Sequence, residues 1–155
     1  MATVAALFVS PERDSARSEP RERVLAVESH GFEGCAHANP PRREVLFASK
    51  EHLDAVGVEP GAIRENVTVE GTDVHSWPVG QRVKVGEALF EITMVCDPCH
   101  RMDELRAGLR ALLEDRRGML AHVVEGGEVA VGDEIVLVDA GQAERQTKTM
   151  SSSPS

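Results

Sequence analysis

The sequence predicts a mainly β protein, and three observations support that prediction. Short segments rich in Val, Leu and Phe recur along the chain, as is typical of strands. Glycine turns separate them, for example at Gly71, Gly86 and Gly132. Only two segments have the residue spacing of a helix. Many short strands joined by glycine turns favour a closed barrel or a sandwich over a doubly wound sheet, so we expect a β-barrel with flanking helices.

About eight segments are predicted as strands. In chain order they cover residues 3–9, 23–28, 44–48, 66–70, 82–85, 88–95, 119–124 and 134–138. Several of them alternate apolar and polar residues with a period of two, as expected for strands with one buried face. Residues 10–23 carry charges of both signs and predict a solvated loop.

Two segments predict helices. In the shorter one, residues 49–56, Ser49 could cap the first turn and Gly57 could end the helix. The longer one, residues 102–117, has Met and Leu at helical spacing, acidic residues in its first turn and arginines in its last. We therefore predict one long helix that packs its apolar stripe on the barrel, together with one or two short helices.

Length and charge limit the domain organisation and the partners. The chain has 155 residues, 41% of them hydrophobic, which fits one domain over residues 1–140 followed by a disordered tail over residues 141–155. A net charge of -9 and scarce aromatic residues argue against nucleic acid as a partner. No apolar run is long enough to span a membrane, and the odd count of three cysteines fits a reducing cytoplasm.

The most reactive-looking segment joins a predicted strand to the long predicted helix and reads Cys96-Asp97-Pro98-Cys99-His100. Asp97 can cap the helix and Pro98 suits its first position, so Cys99 falls in the first turn. Unpaired backbone amides and the helix dipole stabilise an anion there. We therefore predict that the Cys99 thiolate is the reactive group, whereas Cys96 is the weaker candidate because it continues an apolar strand.

Three interpretations of this Cys-x-x-Cys pair are open. A thioredoxin-like redox pair is disfavoured because such a pair usually lies in a βαβ unit. A zinc site could be formed by Cys35, His37, Cys96 and Cys99, although Cys-x-His is not a usual spacing for structural zinc. A single reactive thiolate at Cys99 is the favoured interpretation.

Other polar residues have both a structural and a functional interpretation. Glu65 and Asn66 stand at the entry of a predicted strand, where they could cap a turn or bind a polar ligand. His122 interrupts an apolar strand, and a satisfied barrel residue is favoured over a group that faces a pocket. His52 and His75 are expected at the surface.

Several motifs occur in an order that resembles the MOSC domain, the C-terminal module of molybdenum-cofactor sulfurases. The most specific are Glu65-Asn66 at a strand entry and the single Cys99 between a strand and a helix. The other matching positions are His30-Gly31-Phe32-Glu33-Gly34, His37, Arg43-Glu44-Val45, Pro60-Gly61, Val79-Gly80, Arg117-Gly118 and residues 127–133. The resemblance covers residues 24–138.

The resemblance implies a β-barrel and a role in carrying sulfur or in binding a molybdopterin-type cofactor through Cys99. The residues that would bind the cofactor or an anionic acceptor are His37, Arg43, Glu65, Asn66 and His100. The chain looks like a stand-alone module without a pyridoxal phosphate site, so it would need a sulfur donor such as a cysteine desulfurase. Cys35 stands where the family often has Asp, and it could be a resolving thiol or a neutral replacement for that carboxylate.

Three functional hypotheses follow. In the first, Cys99 accepts a persulfide sulfur from the donor and passes it to a molybdenum-cofactor-type or other small acceptor. In the second, Cys99 ligates molybdenum in a bound pterin cofactor. In the third, the protein is structural and is stabilised by zinc. Whether the protein turns over a substrate is open at this stage.

Overall fold

The computed structural model describes residues 2–9, 18–33, 44–96, 100–114 and 116–138, with the backbone alone for residues 100, 101 and 105. This part of the chain is mainly β, as predicted. Its strands are β1 (Thr3–Val9), β2 (Glu19–Arg21), β3 (Arg23–Val27), β4 (Gly31–Phe32), β5 (Val45–Ser49), β6 (Val67–Glu70), β7 (Arg82–Val85), β8 (Ala88–Val95), β9 (Met119–Glu125), β10 (Gly127–Ala130) and β11 (Ile135–Val138). Its helices are α1 (Lys50–Val56), α2 (His100–Leu105) and α3 (Leu109–Leu112), with a 3-10 turn at Val74–Ser76.

The strands form two sheets. The larger sheet has the order β11-β7-β8-β9-β5-β6-β1-β2, and the smaller one has the order β10-β3-β4. The paired strands run antiparallel, apart from β5 and β6, which are parallel. A parallel pair needs a crossover connection, and α1 lies within the segment that provides it.

The larger sheet is not closed into the predicted barrel. Its outermost strands, β11 and β2, do not pair with each other. The start of β1 approaches the other end of the sheet, where the Val4 amide donates to the Asp133 carbonyl at 2.9 Å and Thr3 bridges to Glu134. This contact does not extend along β1 because residues 7–9 pair with β2 instead. The sheet therefore curves toward closure and stops short of a continuous ladder.

The main core lies between the two sheets. Alternate residues of β9 point into it, namely Met119, Ala121 and Val123, all of which are buried. The Phe47 ring lies 5.2 Å from the Phe90 ring and 5.9 Å from the Trp77 ring, both in edge-to-face geometry. Because β5 occupies the middle of the larger sheet, this aromatic cluster fixes the strands on either side of it.

A second apolar cluster covers part of the outer face of the larger sheet. Ala48 of β5 packs there with Leu53 of α1, Met102 of α2 and Leu109 of α3, all at most 2% exposed. The helices therefore seal one end of the outer face, and the strand termini and loops beside them are partly buried. None of the described helices is long and apolar enough to cross a membrane.

The helix predicted over residues 102–117 is wrong as a single element, because two short helices occupy that stretch. Gly108 separates them with a left-handed φ of 85°, a conformation that ends a helix. The Asp103 carboxylate then accepts the Arg110 amide hydrogen at 3.0 Å and satisfies a free donor in the first turn of α3. Asp103, which was interpreted as an acidic residue in the first turn of one long helix, therefore stabilises the break between α2 and α3.

The other predicted elements agree with the structure apart from their ends. The predicted strands are all present, and three short strands that the pattern did not predict, β2, β4 and β10, are added. Helix α1 follows Ser49 and ends at Gly57 as predicted, but the Ser49 hydroxyl donates to the Thr72 carbonyl instead of capping the helix. Residues 10–17 of the predicted loop and the predicted tail over residues 141–155 lie outside the described residues.

Candidate functional site

A buried carboxylate stands at the entry of β6. Glu65 is fully buried, and its Oε2 accepts the Gly61 amide hydrogen at 2.9 Å and the Thr68 hydroxyl hydrogen at 2.8 Å. Its Oε1 is also buried but has no hydrogen-bond partner. Burial raises the pKa of Glu65, and this effect outweighs the hydrogen bonds and the Arg117 charge, which lower it. The site thus holds a carboxyl group that favours its protonated form more than an ordinary glutamate does.

A buried cation lies at the start of β9. Arg117 is 8% exposed, yet its Nε and Nη1 atoms have no hydrogen-bond partner. Its guanidinium acts electrostatically on Glu65, but the two side chains form no ion pair within the described part of the chain. A buried guanidinium with unused donors is costly unless an anion completes it. Arg117 is therefore suited to bind a carboxylate, a phosphate or another oxyanion.

Gly118 follows Arg117 in sequence and is hydrogen-bonded to both His75 and Cys96. Its amide donates to His75 Nε2 at 2.9 Å, and its carbonyl accepts the Cys96 amide hydrogen at 3.0 Å. The backbone of Gly118 passes close to the Phe47 carbonyl, with a φ of 129° that side chains other than glycine rarely adopt. A residue with a side chain would not fit at this crossing. His75 and Cys96 are thereby held beside the bend that carries Arg117.

The histidines near this bend are less exposed than predicted. His75 follows Asp73, whose carboxylate accepts the His75 amide hydrogen and caps the 3-10 turn. The ring of His52 lies 5.9 Å from that of His75, and only 19% of the His52 side chain is exposed. Because His75 Nε2 accepts a hydrogen bond from Gly118, its proton must reside on Nδ1. His52 and His75, which were expected at the surface, are thus partly buried near Gly118.

The Asn66 side chain connects three strands through hydrogen bonds. Its side-chain oxygen accepts the Leu46 amide hydrogen at 2.9 Å, and its side-chain nitrogen donates to the Phe8 carbonyl at 3.2 Å. These bonds tie the entry of β6 to β5 and β1, which is a structural task for an amide with one acceptor and two donors. A ligand-binding role for Asn66 and for Glu65 stays a prediction.

Several predicted site residues lie outside the described residues. They are Cys35, His37, Arg43 and Cys99. The backbone of His100 begins α2, which has six residues and a correspondingly smaller dipole than the predicted long helix. Cys96 precedes the undescribed residues 97–99 and is partly buried. Cys96, three positions before Cys99 in sequence, donates its amide hydrogen to the Gly118 carbonyl.

The zinc interpretation is also untested. Within the described residues, no group of three or more His, Cys, Asp or Glu could hold a metal ion. That search covers only one of the four predicted zinc ligands, Cys96, so it does not bear on a site formed with Cys35, His37 and Cys99.

Sequence reasoning did not identify Arg117 as a site residue. Its place before Gly118 in the last turn of a predicted helix was explained by the helix dipole. The signal that could have identified it is the pair Arg117-Gly118 directly before an apolar strand, because a glycine there allows the backbone to approach a neighbouring strand closely. Thr68 was not identified either, because a threonine is common in strands and its sequence position gives no sign that its hydroxyl binds Glu65.

Comparison with known proteins adds a family match and several similar folds. The family model of the MOSC domain matches residues 35–136. The YuaD protein from Bacillus subtilis has a similar structure, with a TM-score of 0.78 at 20% identity over 88% of this chain and 94% of that one. YiiM from Geobacillus stearothermophilus gives a TM-score of 0.74 at 18% identity over 91% and 77% of the two chains. YiiM from Escherichia coli gives 0.67 at 18% over 88% and 70%. A search of curated proteins finds no match.

Proposed function

Because the chain belongs to the MOSC domain family, we propose that it works in molybdenum-cofactor-related chemistry as a sulfur-handling protein. In this proposal Cys99 accepts a persulfide sulfur from a donor such as a cysteine desulfurase and passes it to a small anionic acceptor. The observation that carries the proposal is Arg117, a buried guanidinium with two nitrogens that have no partner in the described part of the chain, next in sequence to Gly118, which is bonded to Cys96. An acceptor with a phosphate or carboxylate would complete those donors.

The loading step is a thiol exchange. The Cys99 thiolate attacks the outer sulfur of the donor persulfide, a new sulfur–sulfur bond forms, and the donor cysteine leaves as a thiolate. Cys99 then carries the extra sulfur. Transfer reverses the roles, because a nucleophile of the acceptor attacks the outer sulfur and the Cys99 thiolate leaves. No external oxidant or reductant is needed for either exchange.

Residues of this chain would hold the acceptor and exclude water. Arg117 would bind its anionic group through Nε and Nη1, which have no other partner. Glu65 could donate a hydrogen bond from Oε1 when it is protonated, since burial raises its pKa. The Gly118 backbone, fixed by His75 and Cys96, would hold Arg117 in position relative to Cys96.

The same cation fits a second candidate function, in which the protein binds a molybdopterin-type cofactor. Arg117 would hold an anionic group of the cofactor, such as a phosphate, and Cys99 would be the ligand to molybdenum. When bound, the cofactor would supply a metal ion that a soft thiolate can ligate. The unpartnered guanidinium supports this candidate as well as the sulfur carrier, so the two must be separated by experiment. Metal analysis of freshly purified protein does so, because molybdenum supports binding and stoichiometric zinc supports the structural alternative.

Sulfur loading tests the thiol. The protein is incubated with a cysteine desulfurase and cysteine, and the adduct of about 32 Da, one sulfur atom, is measured by mass spectrometry. We expect Cys99→Ser to abolish the adduct, while Cys96→Ser and Cys35→Ser still load. Loss of loading in all three variants, together with release of zinc and a lower melting temperature, would instead support the structural zinc protein.

Anion binding tests the cation with a matched control. Arg117→Met removes a buried charge, and Arg116→Met removes an exposed charge one residue away. We expect Arg117→Met to weaken binding of inorganic phosphate or molybdate about 10-fold or more, as loss of a charge-assisted hydrogen bond predicts, while Arg116→Met changes it little. Arg117→Met should also unfold at a higher denaturant concentration, because it removes an uncompensated buried cation. Equal effects of the two variants would contradict the proposal.

A further inference from the structure

A second pair of ionisable side chains lies on the outer face of the larger sheet. Glu44 immediately precedes β5, and its side chain is fully buried. Its Oε1 lies 2.6 Å from His122 Nδ1 and accepts the Val123 amide hydrogen at 3.1 Å. Its Oε2 is buried and has no hydrogen-bond partner. The carboxylate therefore turns toward one histidine of β9 and is shielded from solvent.

This geometry determines which nitrogen of His122 carries the proton. Because Glu44 Oε1 already accepts the Val123 amide hydrogen, it acts as an acceptor, and the short contact makes His122 Nδ1 the donor. Nε2 then carries the lone pair. The His122 side chain is 31% exposed, and Nε2 has no hydrogen-bond partner within the described residues and is not among their buried unpaired polar atoms. The basic nitrogen of His122 therefore faces solvent.

Carboxylates are the charged groups closest to this ring. Glu91 of β8 stands directly opposite His122 in the β8–β9 ladder, and its Oε1 pairs with Arg82 Nε at 3.3 Å. His122 thus contacts the Glu44 carboxylate and is paired in register with Glu91, whose charge Arg82 partly neutralises. An anionic ligand would meet the same carboxylates and be repelled. This charge pattern is the opposite of that at Arg117.

We propose that His122 is a proton-accepting catalytic residue at a second site, with Glu44 as its positioning residue. The ligand is a neutral or cationic molecule that presents an O–H, N–H or S–H group to Nε2. In the step, the hydrogen moves to Nε2 as a proton, and the electron pair of the broken bond stays on the ligand atom, which becomes a nucleophile. The proton later passes to a leaving group or to water. This inference does not depend on the thiol chemistry proposed above.

A purely structural role of Glu44 is the alternative to this proposal. Glu44 could serve only to cap the end of the β5–β9 ladder, since its Oε1 accepts the Val123 amide hydrogen beyond the last backbone pair at Val45 and Ala121. In that role the tautomer of His122 would be irrelevant. The position of the proton on His122 tests the arrangement that both roles share, and the reactivity of Nε2 separates the two roles.

Nitrogen-15 NMR of labelled protein near pH 8 measures the tautomer directly. We expect a protonated Nδ1 and a pyridine-type Nε2 on His122 in the wild-type protein. Glu44→Gln, which keeps an oxygen to accept the Val123 amide hydrogen, should shift the population toward the Nε2-protonated form. His30, an exposed turn histidine, serves as the internal reference. An Nε2-protonated His122 in the wild-type protein would overturn the proposal without requiring any variant to fold.

Hydrolysis of p-nitrophenyl acetate, a neutral ester, measures the proton transfer from water. We expect His122→Asn to lower the protein-catalysed rate about 100-fold, the lower end of what a positioned general base contributes. Glu44→Gln should give an intermediate loss, and His30→Asn should leave the rate unchanged. A wild-type rate no higher than that of His122→Asn, or an equal loss in His30→Asn, would show that His122 is not a catalytic base.

Discussion

Replacing Gly118 by Ala tests whether the close approach of Gly118 to β5 holds the residues of the candidate site in place. An ideal Cβ at Gly118 would overlap the carbonyl oxygen of Phe47. The obstacle is backbone in the central strand of the larger sheet, so it cannot move aside as a flexible side chain would. The two hydrogen bonds of Gly118, to His75 and from Cys96, fix its position from the other sides.

The cost has two parts that the structure separates. The φ of 129° costs an alanine about 1–3 kcal/mol. Relief of the overlap with Phe47 requires a backbone shift, which adds about 1–3 kcal/mol. Gly108 provides the matched control, because its φ of 85° is also left-handed but nothing lies within 4 Å of its Cβ position. Gly108→Ala should therefore cost only the conformational part, about 1–2 kcal/mol.

Urea unfolding of both variants measures these costs. Gly118→Ala is expected to lose about 2–6 kcal/mol of unfolding free energy, the sum of the two parts. At about 2–4 °C per kcal/mol for a chain of this size, its melting temperature should fall by roughly 4–24 °C. If Arg117 binds phosphate as proposed, Gly118→Ala should also lose that binding, whereas Gly108→Ala should keep it. Equal destabilisation by the two substitutions would refute the close approach of Gly118 to Phe47.

Three further predictions concern single side chains. Burial raises the pKa of Glu65 above its ordinary value of 4.5, so ionisation of Glu65 lowers the stability of the folded state as the pH rises above that value. Glu65→Gln should therefore unfold at the same urea concentration as the wild type near pH 4 and at a higher one near pH 8. A difference in unfolding free energy that does not change with pH would contradict this. Asn66→Ala should cost about 2–4 kcal/mol in urea unfolding, because it removes a partner from the buried Leu46 amide and Phe8 carbonyl. Asp103→Ala should cost about 1 kcal/mol by removing the cap of α3, and a Glu104→Ala control, exposed and next in sequence, should cost less.

The strands were predictable because their signal is local. Met119, Ala121 and Val123 alternate with residues of the outer face, and burial of one face per strand follows from that period of two. Closure of the sheet was not predictable in the same way. It depends on whether β1 pairs along its length with the distant segment before β11 or with β2, and both choices bury the same apolar residues of β1.

The long helix was mispredicted because Gly108 separates α2 from α3 although the Met and Leu spacing continues past it. The Met and Leu spacing around Gly108 is compatible with a continuous helix, and glycine inside a helix costs only about 1 kcal/mol. The Asp103 carboxylate offers a competing hydrogen bond to the Arg110 amide, which the break makes accessible. Apolar spacing thus identified the buried face of both helices but not their ends.

The candidate sites were only partly predictable, because their members are distant in sequence. Glu44 and His122 are 78 positions apart, and His75 meets Gly118 across 43 positions. Each of these residues has an ordinary structural explanation in its own segment. Only the pairing of β5 with β9 brings Glu44 to His122, so their chemistry is a property of strand register.

Net charge and local charge act in opposite directions on the ligands of this protein. A formal charge of -9 repels anions at long range and thereby supported the exclusion of nucleic acid from sequence alone. That repulsion is screened over about 10 Å at 0.1 M salt. The donors of Arg117 act at hydrogen-bond distance from a position that is 92% buried (8% exposed), where screening by salt is weak. Under the proposal, a small oxyanion would therefore meet little of the long-range repulsion that an extended polyanion would meet along the surface, and the prediction from composition concerns only the second of these two classes of anionic partner.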